Sequence, residues 1–160
     1  MAGAFGKLPR AGDFVARGLG PGIRPVLDRW LSTHLADRAR QPEAWPEGGI
    51  VAAIEGAEGP LLLLAVESRD SAGRAFPLAA VDALNGADTG TADAWAAGAF
   101  APLVDAADGV IDIDTLADRL AAVPLPARGA APLVPPLVWA EGAAPAPPDT
   151  ALPALFRAAR

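Results

Sequence analysis

The sequence contains no cysteine and only one histidine among its 160 residues, and these absences exclude several kinds of chemistry. Without cysteine the chain has no disulfide bond, no zinc finger and no thiol nucleophile. Basic residues are also in the minority, which gives a net charge of −6 at pH 7. This balance argues against nucleic acid and against an anionic membrane surface as partners, because both attract a basic protein face.

The sequence also lacks a long apolar run. Prolines, glycines and charges interrupt every apolar stretch before it reaches the roughly 18 residues of a membrane span. The first ten residues, MAGAFGKLPR, lack the basic-then-apolar order of a secretory signal. A chain of this length fits one domain with its own core. We therefore expect a soluble cytoplasmic protein without membrane insertion.

The apolar residues that are present form patterns typical of a mixed α/β protein. Their spacing predicts a helix from Ile23 to about Arg40. Apolar runs at residues 50–54 and 61–66 flank a glycine-rich turn, which predicts an antiparallel hairpin. A third strand at about 77–83 extends the hairpin to a meander. The other predicted elements are two short extended pieces within residues 4–20, helices at 92–107 and 115–122, and a late strand at 136–140.

Prolines and acidic residues indicate where the later elements begin and end. Pro102 predicts a kink or a break near Phe100, because proline removes a backbone donor and clashes with the preceding helical turn. Asp112 or Asp114 is expected to cap the third helix. Residues 142–150 are rich in proline and alanine, which is typical of a flexible segment. The predicted organisation is therefore one domain at 1–141, that segment, and a short C-terminal helix at 151–160.

A polar loop lies between the second and third strands of the predicted meander. It runs from Ser68 to Leu78 with the sequence SRDSAGRAFPL. Loops that leave a buried sheet and return to it often carry binding or catalytic residues. Gly73 gives this loop backbone freedom, and Pro77 fixes its return into the next strand.

Charged residues in and near this loop are expected to form two sets of ion pairs that hold the chain in shape, and we call each set a clasp. Asp70 and Arg74 should pair, because either charge alone would be costly to bury. Lys7 and Arg10, which lie near Asp13 in the sequence, are expected to form a second clasp. A sharper interpretation, compatible with the first, makes Arg74 part of a recognition surface.

One catalytic set is conceivable from these residue types, with Ser68 as nucleophile, His34 as base and Asp70 as its partner. No Gly-x-Ser-x-Gly elbow supports this triad, and a lone helical histidine beside a leucine is usually structural. The acidic residues at 105–114 lack the glycine and the terminal glutamate of a calcium loop. We therefore expect no catalytic set, no metal site and no cofactor, and a small hydrolase stays an alternative.

Two longer motifs resemble the TagF family (also called ImpM), which comprises accessory proteins of bacterial type VI secretion. The family opens with Gly-Lys-Leu-Pro-x-x-Gly-Asp-Phe-Val, and residues 6–15 match this motif. Its central signature, Ser-x-Asp-x-x-Gly-Arg-x-Phe-Pro-Leu, is matched by residues 68–78. An Asp-x-Trp-Leu helix motif is matched at residues 28–31, so the resemblance spans most of the chain.

This resemblance implies a fold and a function. The fold is a three-layer α-β-α sandwich whose largely antiparallel central sheet, a meander, is flanked by helices. The function is post-translational repression of type VI secretion by a non-enzymatic regulator that binds the cytoplasmic forkhead-associated (Fha) scaffold protein. The alternatives are the small hydrolase and a structural accessory subunit of the secretion machine. The residues expected to bind the partner or to shape the loop are Lys7, Asp13, Phe14, Ser68, Asp70, Gly73 and Arg74.

Overall fold

The computed structural model describes residues 2–158 and shows a mixed α/β protein built on one antiparallel sheet. Within these residues the six strands are β1 (Gly3–Gly6), β2 (Val15–Arg17), β3 (Ile50–Ile54), β4 (Leu61–Val66), β5 (Leu78–Ala83) and β6 (Leu137–Trp139). The four α-helices are α1 (Ile23–His34), α2 (Thr89–Ala107), α3 (Ile113–Ala121) and α4 (Pro148–Ala158). The strand order is β2-β1-β5-β4-β3-β6.

The predicted meander of β3, β4 and β5 is confirmed. β3 pairs with β4, and β4 pairs with β5, in each case antiparallel. The local pattern did not predict that β1 pairs with β5, with Gly6 opposite Leu78. This pairing places the N-terminal motif directly beside the loop that precedes β5.

Alternate residues of the strands supply two hydrophobic cores, because successive side chains of a strand point to opposite faces. Leu62 and Leu64 belong to a core that includes buried residues of α2 and α3. Leu61 and Leu63 belong to a second core that includes buried residues of α1 and α4. The mixed α/β class is confirmed, and the three-layer arrangement stays a prediction.

Helix α1 ends at His34, earlier than the predicted end near Arg40. A short 3₁₀ helix, Asp37–Arg40, follows it. The indole Nε1 of Trp45 donates a hydrogen bond of 2.8 Å to the carbonyl oxygen of Arg38, which holds this tighter turn from outside. Buried apolar residues continue through both helices, so their periodicity does not show where the α-helix ends.

Helix α2 begins at Thr89, before its predicted start at residue 92, and continues through Pro102 without a break. Asp88 and Thr91 form a capping box, in which each side chain accepts the backbone N–H of the other residue. Pro102 is buried. Contact of its ring with the core offsets the backbone hydrogen bond that the helix loses there. A break near Phe100 is therefore wrong, and a kink there stays a prediction.

The C-terminal third departs from its prediction mainly in the last helix. Asp112 is the residue that caps α3, and β6 lies within the predicted strand. Helix α4 begins at Pro148, inside the segment predicted to be flexible. Residues 159–160 of the predicted terminal helix lie outside the described residues, and the division into 1–141, 142–150 and 151–160 stays a prediction. No helix between residues 2 and 158 has the length and apolar character that crossing a membrane requires.

Candidate functional site

The loop between β4 and β5 is wound around the carboxylate of Asp70, whose side chain is fully buried. Oδ1 of Asp70 accepts the backbone N–H groups of Ala72 at 3.0 Å and of Arg74 at 2.9 Å. Oδ2 accepts Nε–H of Arg74 at 2.7 Å, so the predicted pair of Asp70 and Arg74 is present. Gly73 has a φ of 82°, and a Cβ built there would meet nothing within 4 Å. Glycine is favoured at this position by the backbone conformation and not by lack of space.

Side chains of the loop and of the N-terminal motif contact one another directly. Nζ of Lys7 lies 3.4 Å from Oδ2 of Asp70, and the side chain of Lys7 is only 11% exposed. Nη2 of Arg74 donates a 2.8 Å hydrogen bond to the carbonyl oxygen of Gly12. One buried carboxylate is thus flanked by two cations from separate parts of the chain, as a buried charge requires.

Backbone hydrogen bonds also connect the loop to the N-terminal motif. The N–H of Ser71 donates to the carbonyl oxygen of Ala11 at 2.9 Å, and the N–H of Lys7 donates to that of Pro77 at 3.4 Å. The two motifs therefore form one structural element, which we call the motif unit and define as residues 5–15 and 68–78.

Three phenylalanines form the apolar side of the motif unit. Phe14 stacks on Phe5 with ring centroids 5.7 Å apart, and Phe76 meets Phe14 edge-on at 4.8 Å. Nζ of Lys7 lies 4.9 Å from the centre of the Phe14 ring. Sequence reasoning missed Phe5 and Phe76 as site residues. Their positions, beside the first motif glycine and before Pro77, are the signal that would have found them.

The hydrogen bonds around Asp70 decide its charge. Burial raises the pKa of its carboxyl group, but the donors of Arg74, Ala72 and Lys7 outweigh burial and lower the pKa to about 2 from the ordinary 3.8. Asp70 is therefore ionised at neutral pH and holds both cations in place.

This lowered pKa predicts a loss of stability in acid. A carboxyl group whose pKa is lower in the folded state stabilises the fold above its unfolded-state pKa, and the contribution is lost as the pH falls through the folded-state value. The urea midpoint of the wild type should therefore fall between about pH 4 and about pH 2 more steeply than that of Asp70→Asn. Asp13→Asn, which removes an exposed carboxylate of the same motif, is the matched control for the loss of one negative charge. Equal slopes for the wild type and Asp70→Asn would contradict the expectation.

The second predicted clasp is wrong in its partners. Lys7 pairs with Asp70 and not with Asp13. Asp13 is exposed, and its carboxylate accepts the backbone N–H of the next residue at 2.7 Å. Arg10 is also exposed and lies near Asp112 at the start of α3. The pairing of Lys7 with Asp13 was inferred from their closeness in sequence. The pairing of β1 with β5 instead places Lys7 beside the loop.

The structure does not assemble the conceivable triad. Ser68 is 2% exposed, and its hydroxyl has no hydrogen-bond partner among the described residues. His34 lines a cavity with Ile54 at the turn end of the β3–β4 hairpin, whereas Ser68 follows the other end of β4. The six residues of β4 span about 17 Å at about 3.4 Å per residue. His34 therefore lies apart from Ser68 and Asp70.

A cleft of about 410 Å³ borders the motif unit and is lined by Glu67, Ser68 and Asp108, among others. Burial raises the pKa of Glu67, while nearby Arg69 lowers it and Asp108 raises it further, so that the net shift is upward. No group of three or more histidine, cysteine, aspartate or glutamate residues within 2–158 is arranged to hold a metal ion.

These observations define a small α/β protein in which two separate motifs close around one buried carboxylate. Its structure is similar to the crystal structure of PA0076 from Pseudomonas aeruginosa PAO1, with a TM-score of 0.64 and 25% sequence identity over 99% of this chain and 78% of that chain. No curated protein shows a significant match to the chain. The family model of the TagF N-terminal domain, described as type VI secretion system-associated, matches residues 3–123. Because this match covers more than half of the sequence, the chain belongs to the TagF family.

Proposed function

We propose that this protein is a non-enzymatic, cytoplasmic repressor of type VI secretion that acts after translation by binding the forkhead-associated (Fha) scaffold protein. Membership of the TagF family supports the association with type VI secretion. The burial of Ser68 and its distance from His34 favour a binding role over the hydrolase alternative.

The proposal depends mainly on the exposure and the fixed orientation of the Arg74 side chain. Its side chain is 62% exposed, yet its Nε bonds to Asp70 and its Nη2 bonds to the carbonyl oxygen of Gly12. The guanidinium group is thus fixed in orientation while much of it faces solvent. A cation held in this way has little freedom to lose on binding, which favours recognition of an acidic group on a partner.

Calorimetric titration of the Fha scaffold protein from the same cell tests this function. Wild-type protein should bind it, and Arg74→Ala should bind about tenfold more weakly or worse, as expected for loss of an interfacial arginine. Arg74→Lys keeps the charge without the planar fork and should fall between the two. Arg29→Ala removes an exposed arginine from α1 and serves as the matched control.

Each result has one interpretation once circular dichroism shows that the variants are folded. Binding by the wild type and by Arg74→Ala with equal affinity would place the interface outside the motif unit. Absence of binding by the wild type would contradict the proposed partner.

A further inference from the structure

A groove extends from the motif unit along α2, on the side that faces residues 42–49. It consists of three clefts of about 410, 210 and 550 Å³. Glu67 and Asp108 line both the first and the second cleft, and Glu47 and Phe100 line both the second and the third. Neighbouring clefts therefore adjoin one another, and we call the three together the acidic groove.

Outside the motif unit, the charged residues that line this groove are all acidic. Its acidic lining residues outside the motif unit are Glu47, Glu67, Asp93, Asp108 and Glu141, whereas its basic lining residue, Arg69, belongs to the motif unit. Asp93 is engaged, because its Oδ1 accepts Nε1–H of Trp139 at 2.7 Å. Glu47, Glu67 and Asp108 form no ion pair with any residue between 2 and 158. The charges of Glu47 and Asp108 are available to a partner, and that of Glu67 is opposed in part by nearby Arg69.

The floor of the groove is apolar. Phe100 and Val104 of α2 line it and are only half-buried, while Val66 at the end of β4 lines the same central cleft. Trp45 also lines that cleft. A ligand that fits must therefore present apolar side chains together with positive charge.

Three features of the groove are unfavourable for the folded protein alone. Asp108 is the C-cap of α2, where the helix dipole disfavours a negative charge. Glu67 is partly buried, which disfavours its charge, and repulsion from Asp108 adds to this effect while attraction to Arg69 opposes it, so that the net effect on the pKa is upward. Ser68 lines the groove with a buried hydroxyl that has no partner within the described part of the chain. Such arrangements, which reduce stability, are typical of binding sites, and a positive charge on a partner offsets the first two.

We propose that the acidic groove binds a segment of a partner protein that carries both basic and apolar side chains. Lysine or arginine side chains of this segment face Glu47, Glu67 and Asp108, and an apolar side chain packs on Phe100 and Val104. This inference rests on the proposed function and deepens it, because Glu67 directly precedes the motif unit. The groove and Arg74 would then contact one partner from adjacent surfaces.

A triple variant removes the free charges of the groove without changing side-chain size: Glu47→Gln, Glu67→Gln and Asp108→Asn. It should be folded, and its thermal midpoint should be no lower than that of the wild type, because repulsion between the acids and the unfavourable C-cap charge are both removed.

The matched control carries the same three changes elsewhere: Glu55→Gln, Glu58→Gln and Asp118→Asn. These residues are exposed and line none of the three clefts. The two variants therefore have the same net charge and differ only in where the charge was removed.

The scaffold titration is repeated with both variants at low and at high salt. The groove variant should bind the scaffold about tenfold more weakly at low salt and depend less on salt than the wild type, because complementary charges are lost. The control variant should bind like the wild type. Equal affinities of the groove and control variants would overturn the groove proposal and leave the proposed function intact.

A second probe tests the groove independently of the scaffold. A short labelled peptide that alternates arginine and leucine should bind the wild type and the control variant, and should bind the groove variant about tenfold more weakly. The same peptide with glutamate in place of arginine should not bind. Equal binding of the basic peptide to both variants, or binding of Ca²⁺ or Mg²⁺ without binding of the peptide, would overturn the groove proposal. If the scaffold does not bind, only the proposed function is contradicted. The peptide experiment then tests by itself whether the groove binds a basic and apolar segment.

Discussion

Substitution of Phe76 by alanine is expected to lower the free energy of unfolding by about 3 to 5 kcal/mol, the usual range for a buried phenylalanine. Phe76 is 7% exposed, and its ring meets Phe14 at 4.8 Å and Phe5 at 6.5 Å. Alanine would leave a cavity where the loop packs on β1 and would remove both edge-to-face contacts. Urea unfolding followed by circular dichroism measures the loss.

Phe14 provides the comparison within the same cluster. It is half-buried, so Phe14→Ala should lower the free energy of unfolding by less, about 1 to 2 kcal/mol. The double variant should be more stable than the sum of the two losses implies, by about 0.5 to 1.5 kcal/mol, because the two rings contact each other. Equal losses, or strict additivity, would contradict the cluster described above.

Substitution of Asp70 by alanine is expected to release both halves of the motif unit together. The N–H groups of Ala72 and Arg74 would lose their acceptor, and Lys7 would lose its ionic partner. Loss of these bonds should accelerate hydrogen exchange in residues 68–78 and 7–15 by about a hundredfold. Mass spectrometry of overlapping peptides resolves the two segments.

Two comparisons make this exchange experiment decisive. Asp70→Asn keeps an acceptor at the Oδ1 position and should accelerate exchange less than alanine does. Peptides from the β3–β4 hairpin, residues 50–66, should exchange at the wild-type rate in both variants. Faster exchange confined to 68–78, with residues 7–15 unchanged, would show that the two motifs are not one unit.

The sequence patterns identified the elements but not the long-range pairing that builds the site. The meander was predictable because apolar runs bounded by glycine and proline mark strands and turns locally. The Asp70–Arg74 pair was predictable because both charges lie in one short loop. The partner of Lys7 was not, since the pairing of β1 with β5 joins strands far apart in sequence, and no local period encodes it. Lys7 was therefore assigned to the nearest acid, Asp13.

Two helix boundaries were mispredicted, one because of an unusual capping residue and one because of a tertiary contact. The cap of α2 uses Thr91 where Glu or Gln is usual in a capping box, so residues 88–91 were interpreted as a turn. At the end of α1, the bond from Trp45 to the carbonyl oxygen of Arg38 tightens the chain, and this contact depends on tertiary structure. The acidic groove was also invisible in the sequence, because Glu47, Glu67 and Asp108 come from three different elements.

Both edges of the sheet are strands of three residues, which limits how this protein can associate. Short edges offer few unpaired N–H and C=O groups to a foreign strand. On β6, Val138 already pairs with Ala146 on its outer side. On β2, Arg17 is held by an ion pair with Asp114. The edges therefore offer few backbone groups to a partner that binds by strand addition. The same holds for a second copy that would pair edge to edge and form a fibre. The sheet thus resists polymerisation, and recognition falls to the side chains of the loop and the groove.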